Sequence, residues 1–370
     1  MAETSYEKTC REILGLADIQ INGNRPWDIK VNNPELYKRI LSQGSLGLGE
    51  SYMDGWWDCK AIDEFINRIF RAELDKKVKN LSNMSIILKA KLTNPQRRDA
   101  FDIGKKHYDT GNDLFSLMLD KRMVYTCAYW ENAKNLDSAQ ENKLRLTCEK
   151  LKLKPGMKVL DIGCGWGSFL KYAAEKYGIK GVGITVSKEQ VELGNQLCKG
   201  LDVEIRYQDY EDLDEKFDRI VSLGMFEHVG HKNFRKYMEI VNKCLNENGL
   251  FLLHTIGSMN TRGGTDPWLN KYIFPNGFLP SLNQIIKSSE NLFILEDLHN
   301  FSVNYDKTLI AWHHNFIKSW DKLKEKYPER FKRMWEYYLL SCAGAFRARN
   351  IQIWQIVFSK GRILEYKSIR

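Results

Sequence analysis

From about residue 150 onward, short apolar runs alternate with segments of helical period. Amphipathic segments at 168–178, 188–198, 233–249 and within 306–348 predict helices. The apolar runs predict seven strands, which begin in KVLDIGCGWG (158–167) and continue at 181–187, 203–210, 217–226, 250–257, 293–301 and 351–359. Strands that alternate with helices predict an α/β fold with an open, mostly parallel, doubly wound sheet. Ligands of such sheets bind outside the carboxyl ends of the strands.

The first 60 residues follow a different pattern. Periodicity predicts helices at 4–17 and 34–43, the second with Pro34 in its first turn. The Asn22-Gly23 dipeptide lies between short apolar stretches and predicts a hairpin. The glycines and aromatic residues of 45–57 predict a loop that packs its own tryptophans.

The pattern loosens around 80–100, where Asn94-Pro95 and nearby basic residues are typical of a linker. We therefore expect a small amino-terminal α+β domain at 1–88, a basic linker at 89–101 and a larger α/β domain at 102–370.

Charge and cysteine usage narrow the functional classes. Lys and Arg number 56 against 47 Asp and Glu, a formal net charge of +9. This excess favours an anionic partner, either a membrane surface or nucleic acid, although a solubilising surface has the same composition. The eight cysteines form no C-x-x-C pair, and no secretory leader opens the chain, so we expect free thiols in a reducing cytosol. No apolar run approaches 18 residues, so we expect no transmembrane helix. If the protein acts on a membrane, we expect it to act from the membrane surface.

A glycine-rich turn follows the first strand of the α/β region. VLDIGCGWG sets Asp161 at the strand end and follows it with Gly163, Gly165 and Gly167, which allow a tight turn and close approach of a ligand. The spacing differs from the dinucleotide G-x-G-x-x-G, and no Gly-Lys-Ser/Thr follows. This stretch resembles motif I of the class I S-adenosylmethionine (SAM) methyltransferases, and the resemblance implies their seven-stranded fold and SAM binding.

The next two strands offer candidate contacts to the rest of that cofactor. These enzymes usually end the second strand with an acid for the ribose, whereas here it ends ITVSKEQ. Thr185 and Gln190 could hydrogen-bond the ribose diol, or be an ordinary strand residue and an ordinary helix residue. Asp209, at the end of the third strand, could reach the adenine amine or form a turn.

An acid and an imidazole follow the fourth and fifth strands. Glu227 lies in GMFEHVG and His254 in LLHTIG. Because the carboxyl ends of parallel strands share one edge of the sheet, we expect the two residues to converge near the methyl donor as an acid–base pair.

Longer motifs make a more specific resemblance. The chain resembles the bacterial cyclopropane-fatty-acyl-phospholipid synthases over nearly its whole length, in YTCAYW, VLDIGCGWG, ITVSKEQ, GMFEHVG, LLHTIGS, IFPNGFLPS, HNFSVNYDKTL, CAGAFRARNIQIWQ and, in the amino-terminal part, GSLGLGESYMDGWWD. The mycolic-acid cyclopropane synthases are similar over the catalytic part without such an amino-terminal domain. The resemblance implies transfer of a methylene from SAM to the cis double bond of an acyl chain in a membrane phospholipid.

The resemblance also implies site residues. The family uses a bound bicarbonate ion as general base, and its holders here would be Cys127, Glu227, His254, the backbone of Ile256, and Tyr305, with Glu296 supporting them. Cys127 is then not a nucleophile. For SAM, the resemblance implies the glycine turn together with Tyr125, Thr126, Thr185, Gln190 and Gly224. No metal is expected.

The stretch RMVYTCAYWE combines a thiol with aromatic residues and has no charge between Arg122 and Glu131. A carbocation formed on an acyl chain needs a water-poor pocket and benefits from aromatic faces. Tyr125, Tyr129 and Trp130 could wall such a pocket, or be core packing.

The same resemblance assigns a membrane role to the amino-terminal region. That domain and the linker residues Lys89, Lys91, Arg97 and Arg98 would meet anionic headgroups, with a homodimer working peripherally at the inner face of the cytoplasmic membrane. No nucleic acid partner is expected. Three alternatives remain open: a SAM methyltransferase of a small soluble amine or hydroxyl, an inactive membrane-binding protein, and an RNA methyltransferase.

Overall fold

The structure is a computed structural model that describes residues 3–77, 111–261, 264–361 and 365–370. The predicted linker, with Lys89, Lys91, Arg97 and Arg98, lies outside the described residues, so the expected division at 88 and 102 stays a prediction. The chain forms two compact units: the first comprises Met1–Met118, Thr265–Asn276 and Leu309–Asn350, and the second Leu119–Gly264, Gly277–Thr308 and Ile351–Arg370.

The described elements are numbered in chain order. The helices are α1 Ser5–Gly15, α2 Glu35–Gln43, α3 Ser45–Met53, α4 Ile62–Arg71, α5 Leu74–Lys77, α6 Asn112–Met118, α7 Leu136–Lys150, α8 Ser168–Tyr177, α9 Lys188–Leu197, α10 Phe234–Cys244, α11 Pro267–Tyr272, α12 Leu282–Ser289, α13 Ser302–Leu323 and α14 Glu329–Arg347. The strands are β1 Lys30–Val31, β2 Trp57–Asp58, β3 Lys158–Ile162, β4 Lys180–Thr185, β5 Val203–Tyr207, β6 Phe217–Leu223, β7 Leu245–Ser258, β8 Ile294–Asn300 and β9 Ile351–Ser359.

The second unit is built on a seven-stranded sheet with the order β5-β4-β3-β6-β7-β9-β8. The first five strands in this order pair in parallel, and β9 pairs antiparallel with both β7 and β8. Neighbouring residues of β3 belong to different apolar clusters, Leu160 to one and Val159 to the other, so both faces of the sheet are covered. All seven predicted strands are confirmed.

The predicted hairpin at Asn22-Gly23 is wrong. The Asp28 carboxylate accepts hydrogen bonds from the amides of Gln20 and Arg25, at 2.8 and 2.9 Å, and folds the segment into a compact loop. Strand β1 instead pairs antiparallel with the distant β2.

The predicted loop at 45–57 is largely helix, since α3 spans Ser45–Met53. A Cβ on Gly47 would lie 2.5 Å from the carbonyl oxygen of Arg39, and one on Gly49 would lie 2.5 Å from Cδ1 of Trp268. These glycines therefore permit close packing within the first unit and do not break the helix.

The predicted helix 233–249 ends early, at Cys244. Leu245 is fully buried and pairs with Phe217 at the start of β7, so burial in the sheet overrides helical periodicity.

No helix among the described residues is long and apolar enough to cross a bilayer.

Candidate functional site

The glycine turn after β3 adopts backbone that favours glycine. Gly163, Gly165 and Gly167 have φ of 79°, 55° and 76°, in the left-handed region. A Cβ on Gly163 would lie 2.7 Å from Cβ of Met225, and one on Gly167 would lie 2.9 Å from Cδ1 of Ile205. The turn therefore has the tight form that the sequence predicts.

Asp161 is buried at the end of β3, directly before this turn. Its Oδ1 atom has no hydrogen-bond partner among the described residues. Burial raises the pKa of this carboxyl to about 7, while the nearby positive charge of Lys143 acts in the opposite direction. Asp161 can therefore exchange a proton near neutral pH.

Thr185 and Gln190, the predicted ribose-binding pair, lie together at the end of β4. The Thr185 hydroxyl donates a hydrogen bond to Oε1 of Gln190 at 2.6 Å. Asp209 has the turn geometry that the sequence left as its alternative, because its Oδ1 accepts from the amide of Glu211 at 2.9 Å. Contact of Asp209 with adenine stays a prediction.

Helix α7 holds the segment that contains Tyr125, Thr126 and Cys127. Nε2 of Gln140 donates to the carbonyl oxygen of Thr126 at 2.8 Å, and Nζ of Lys143 donates to its hydroxyl oxygen at 2.9 Å. Across from it, Gly224 has φ of 71°, and a Cβ there would lie 2.9 Å from Cγ2 of Thr126. Thr126 and Gly224 are thus neighbours at the edge of the sheet.

Cys127 is completely buried, and its thiol donates to the carbonyl oxygen of Ala128 at 3.2 Å. Burial raises the pKa of this thiol, so it stays protonated at neutral pH. That Cys127 is not a nucleophile stays a prediction.

Glu227 and His254 lie at the same edge, as predicted. Oε1 of Glu227 accepts from the amide of Ile256 at 2.5 Å, and the amide of Gly224 donates to the carbonyl oxygen of His254 at 2.8 Å. The Ile256 amide therefore already donates to Glu227. Its expected role as a holder of bicarbonate stays a prediction.

Both side chains are buried with unused hydrogen-bonding capacity. Among the described residues, Oε2 of Glu227 and both ring nitrogens of His254 have no partner. Burial raises the pKa of Glu227 to about 7 and holds the pKa of His254 well below its usual range. A neutral imidazole and a carboxyl group that titrates near neutrality therefore lie at the same edge of the sheet.

The start of α13 is tied to the cysteine segment. The Thr308 hydroxyl oxygen accepts from the amide of Ala128 at 3.1 Å and from Nε1 of Trp130 at 2.9 Å. Tyr305, one turn earlier on α13, is buried, and these bonds bring its helix to the site. Tyr129 stacks on Phe301 with ring centroids 5.0 Å apart, and Phe301 contacts the His254 ring edge-on at 5.5 Å.

The structure does not bring Glu296 to the edge of the sheet where Glu227 and His254 lie. Its Oε1 accepts from the Ser359 hydroxyl at 2.5 Å. Ser359 pairs with Leu250, four residues before His254 on β7, so Glu296 lies toward the other end of the strands. The expected supporting role of Glu296 is corrected on this ground.

Sequence reasoning missed Gln140, Lys143 and Thr308. In AQENKLRLTCEK, polar residues at helical spacing suggest a solvated face. Yet Gln140, Lys143, Thr147 and Lys150 are all completely buried. No pattern of residue types in this segment distinguishes a buried polar face from an exposed one.

Comparison with known proteins gives consistent matches. The model of the mycolic acid cyclopropane synthetase family matches residues 95–356. The cyclopropane-fatty-acyl-phospholipid synthase of Escherichia coli (strain K12) is 54% identical over 361 residues, which cover 97% of this chain and 94% of that protein.

Solved structures agree. The cyclopropane synthase MmaA2 from Mycobacterium tuberculosis has a TM-score of 0.66 and 30% identity, covering 72% of this chain and 100% of its own. The mycolic acid cyclopropane synthase CmaA1, complexed with SAH and CTAB, has a TM-score of 0.64 and 32% identity over the same shares. The predicted class I SAM-dependent methyltransferase fold is thereby confirmed.

Proposed function

This chain belongs to the mycolic acid cyclopropane synthetase family, and we propose that its site performs cyclopropane synthesis with a bound bicarbonate ion as the base. The chain is a SAM-dependent transferase that adds a methylene to the cis double bonds of phospholipid acyl chains. The observation that supports the proposal most is the pair Glu227 and His254, which together have three polar atoms buried at the edge of the sheet with no partner in the described part of the chain.

The residues present fit SAM. The turn of Gly163, Gly165 and Gly167 lies directly after β3 with left-handed backbone and no side chains, which allows a ligand to approach the chain closely. The Thr185–Gln190 pair offers neutral hydrogen-bonding groups for a diol, and Tyr125, Thr126, Asp161, Asp209 and Gly224 complete the proposed set. When bound, SAM supplies an electrophilic methyl group on a sulfonium.

The residues present also fit bicarbonate. A small anion with a hydroxyl and two acceptor oxygens can satisfy both a carboxyl oxygen and an imidazole, and the unpartnered atoms of Glu227 and His254 are of these types. Cys127 and Tyr305 are buried close in sequence to the groups that tie α13 to this segment. We propose that the four side chains orient the ion, and that Glu227 accepts the proton of ring closure from the bicarbonate base and not from the acyl chain itself.

The aromatic residues suit a positively charged acyl chain. Tyr129 and Phe301 are buried and stacked, and no ionised side chain lies between Arg122 and Glu131. Aromatic faces attract cations, and a site without water protects a carbocation from capture as an alcohol.

We further propose that the enzyme works as a homodimer, peripherally bound to the inner face of the cytoplasmic membrane. The net charge of +9 supports attraction to anionic lipid. The amino-terminal region and the basic residues Lys89, Lys91, Arg97 and Arg98 would make this contact.

Incubation of the purified chain with SAM and vesicles of unsaturated phospholipid tests the proposal. We expect acyl chains heavier by one methylene, with a cyclopropane ring identified by fragmentation in mass spectrometry. Degassing the buffer to remove bicarbonate should slow the reaction, and adding bicarbonate back should restore the rate. Transfer to the headgroup amine, or a rate indifferent to bicarbonate, would overturn it.

A further inference from the structure

Helix α7 presents a completely buried polar face that includes two lysines seven residues apart, Lys143 and Lys150. Lys150 is paired: its ammonium lies 3.2 Å from Oδ2 of Asp297 and 3.2 Å from Nδ1 of His299. Lys143 differs, because no carboxylate oxygen of the described residues lies within 4.0 Å of its Nζ atom. Its hydrogen bond goes to the Thr126 hydroxyl oxygen. The second unit therefore contains a buried ammonium without an ion-pair partner.

Such a group is costly. An ammonium removed from water without a counter-charge loses the favourable hydration of its charge and gains no attraction in return. Burial accordingly lowers the pKa of Lys143 to about 8, although the negative charges of the Asp120 and Asp161 carboxylates act in the opposite direction. The carboxylate of Asp120 is already used, since it accepts from the amides of Val124 and Arg122 at 2.9 Å each.

The bond from Lys143 sets the direction of the Thr126 hydroxyl. An ammonium can only donate, so the Thr126 oxygen accepts at 2.9 Å and its own hydrogen must point to another acceptor. Thr126 is partly exposed next to Gly224, and Gln140 fixes its carbonyl oxygen. The hydroxyl is therefore a fixed donor at the edge of the sheet, with a buried positive charge directly behind it.

We propose that Lys143 is a positioning residue for the α-carboxylate of SAM, acting through Thr126. The carboxylate is the anionic group of that cofactor, and a donor backed by a buried cation recognises such a group. The bound carboxylate supplies the counter-charge that Lys143 lacks in the described protein. The inference rests on SAM use and not on the acyl substrate or on bicarbonate.

Calorimetry with two ligands tests it. Binding of SAM and of decarboxylated SAM, which lacks only the carboxylate, is measured for the wild type, Lys143→Met and Thr126→Val in bicarbonate-free buffer without lipid. We expect the wild type to prefer SAM by about tenfold or more, as for a hydrogen bond to a charged group. In both variants this preference should fall by about tenfold, with the affinity for the decarboxylated ligand nearly unchanged.

Lys150→Met is the matched control. It removes an equally buried lysine from the same face of α7, but one that is paired with Asp297. We expect it to lower the melting temperature and to keep the wild-type preference for SAM. Lys143→Met should not lower the melting temperature, because it replaces an unpaired buried charge with an apolar chain.

Other outcomes overturn the proposal. An unchanged preference in Lys143→Met would mean that the ammonium only offsets Asp120 and Asp161. A loss that appears only when bicarbonate is added would assign Lys143 to that ion. Should Lys143→Met fail to fold, Lys143→Gln and Thr126→Val make the same comparison. Failure of ring synthesis would leave these binding results unaffected, so the two proposals fail separately.

Discussion

Oε1 of Glu227 accepts a hydrogen bond from the amide of Ile256 at 2.5 Å, which ties the turn after β6 to strand β7. One carboxyl oxygen is thereby fixed by the backbone, and the other is left without a partner among the described residues. A side chain held in this way has a defined orientation and one oxygen available for chemistry.

Glu227→Gln should separate binding from turnover. The amide can keep the acceptor for the Ile256 amide but cannot take up a proton, so we expect SAM affinity within about twofold and ring formation slower by about 10²–10⁴-fold. Calorimetry with SAM and mass spectrometry of vesicle lipids measure the two quantities. An equal loss of both would make Glu227 structural.

The same variant should change how stability depends on pH. The pKa of Glu227 is raised from 4.5 to about 7 on folding, so the folded state retains a proton that the unfolded state has lost. The contribution of Glu227 to the free energy of unfolding therefore falls as pH rises from about 4.5 to 7 and is then constant. We expect the stability of Glu227→Gln relative to the wild type to rise by up to about 3 kcal/mol across this window.

Denaturant unfolding at pH 5 and pH 7.5 measures this difference. Glu149→Gln is the control, because its carboxylate lies at the surface in an ion pair with Arg145. A pH-independent difference between Glu227→Gln and the wild type would contradict the raised pKa.

Gly163→Ala should impair the cofactor turn. The new Cβ would lie 2.7 Å from Cβ of Met225, at a φ of 79°. Gly156→Ala provides the control, because Gly156 has the same φ of 79° with nothing within 4 Å of its added Cβ. We expect Gly156→Ala to cost about 1–2 kcal/mol of stability from backbone strain alone.

Gly163→Ala should cost more than Gly156→Ala and should also weaken SAM binding at least tenfold. Thermal unfolding and calorimetry compare the two variants. Equal effects on SAM affinity would mean that Gly163 contributes only its backbone conformation.

The basic linker should act through charge. Replacing Arg97 and Arg98 by Gln should weaken binding to anionic vesicles by about 30-fold, at about 1 kcal/mol per basic residue, with the difference shrinking as salt rises. Lys176 and Lys199, exposed on the second unit, offer a control pair with the same change in net charge. Sedimentation with vesicles measures the affinity of both double variants. If the two variants lose the same amount of vesicle affinity, binding depends on net charge and not on the linker.

The sequence by itself determined the architecture of the sheet and much of the site. Apolar runs of strand length locate β3 to β9, because strands buried on both faces must be nearly continuous in apolar residues. The glycine turn was also predictable, since few residues other than glycine adopt its backbone. Glu227 and His254 could be expected at one edge because parallel strands present their carboxyl ends together.

Only the tertiary structure decided the rest. Lys143 and Gln140 have the spacing of a solvated helix face, and their burial depends on what α7 packs against. Glu296 looked like part of the site, yet its position along β8 follows from the register with β9. Residues 45–57 looked like a loop, because a glycine that permits close packing cannot be distinguished in sequence from one that ends a helix. Long-range packing sets burial, register and close approach, and local residue pattern does not encode them.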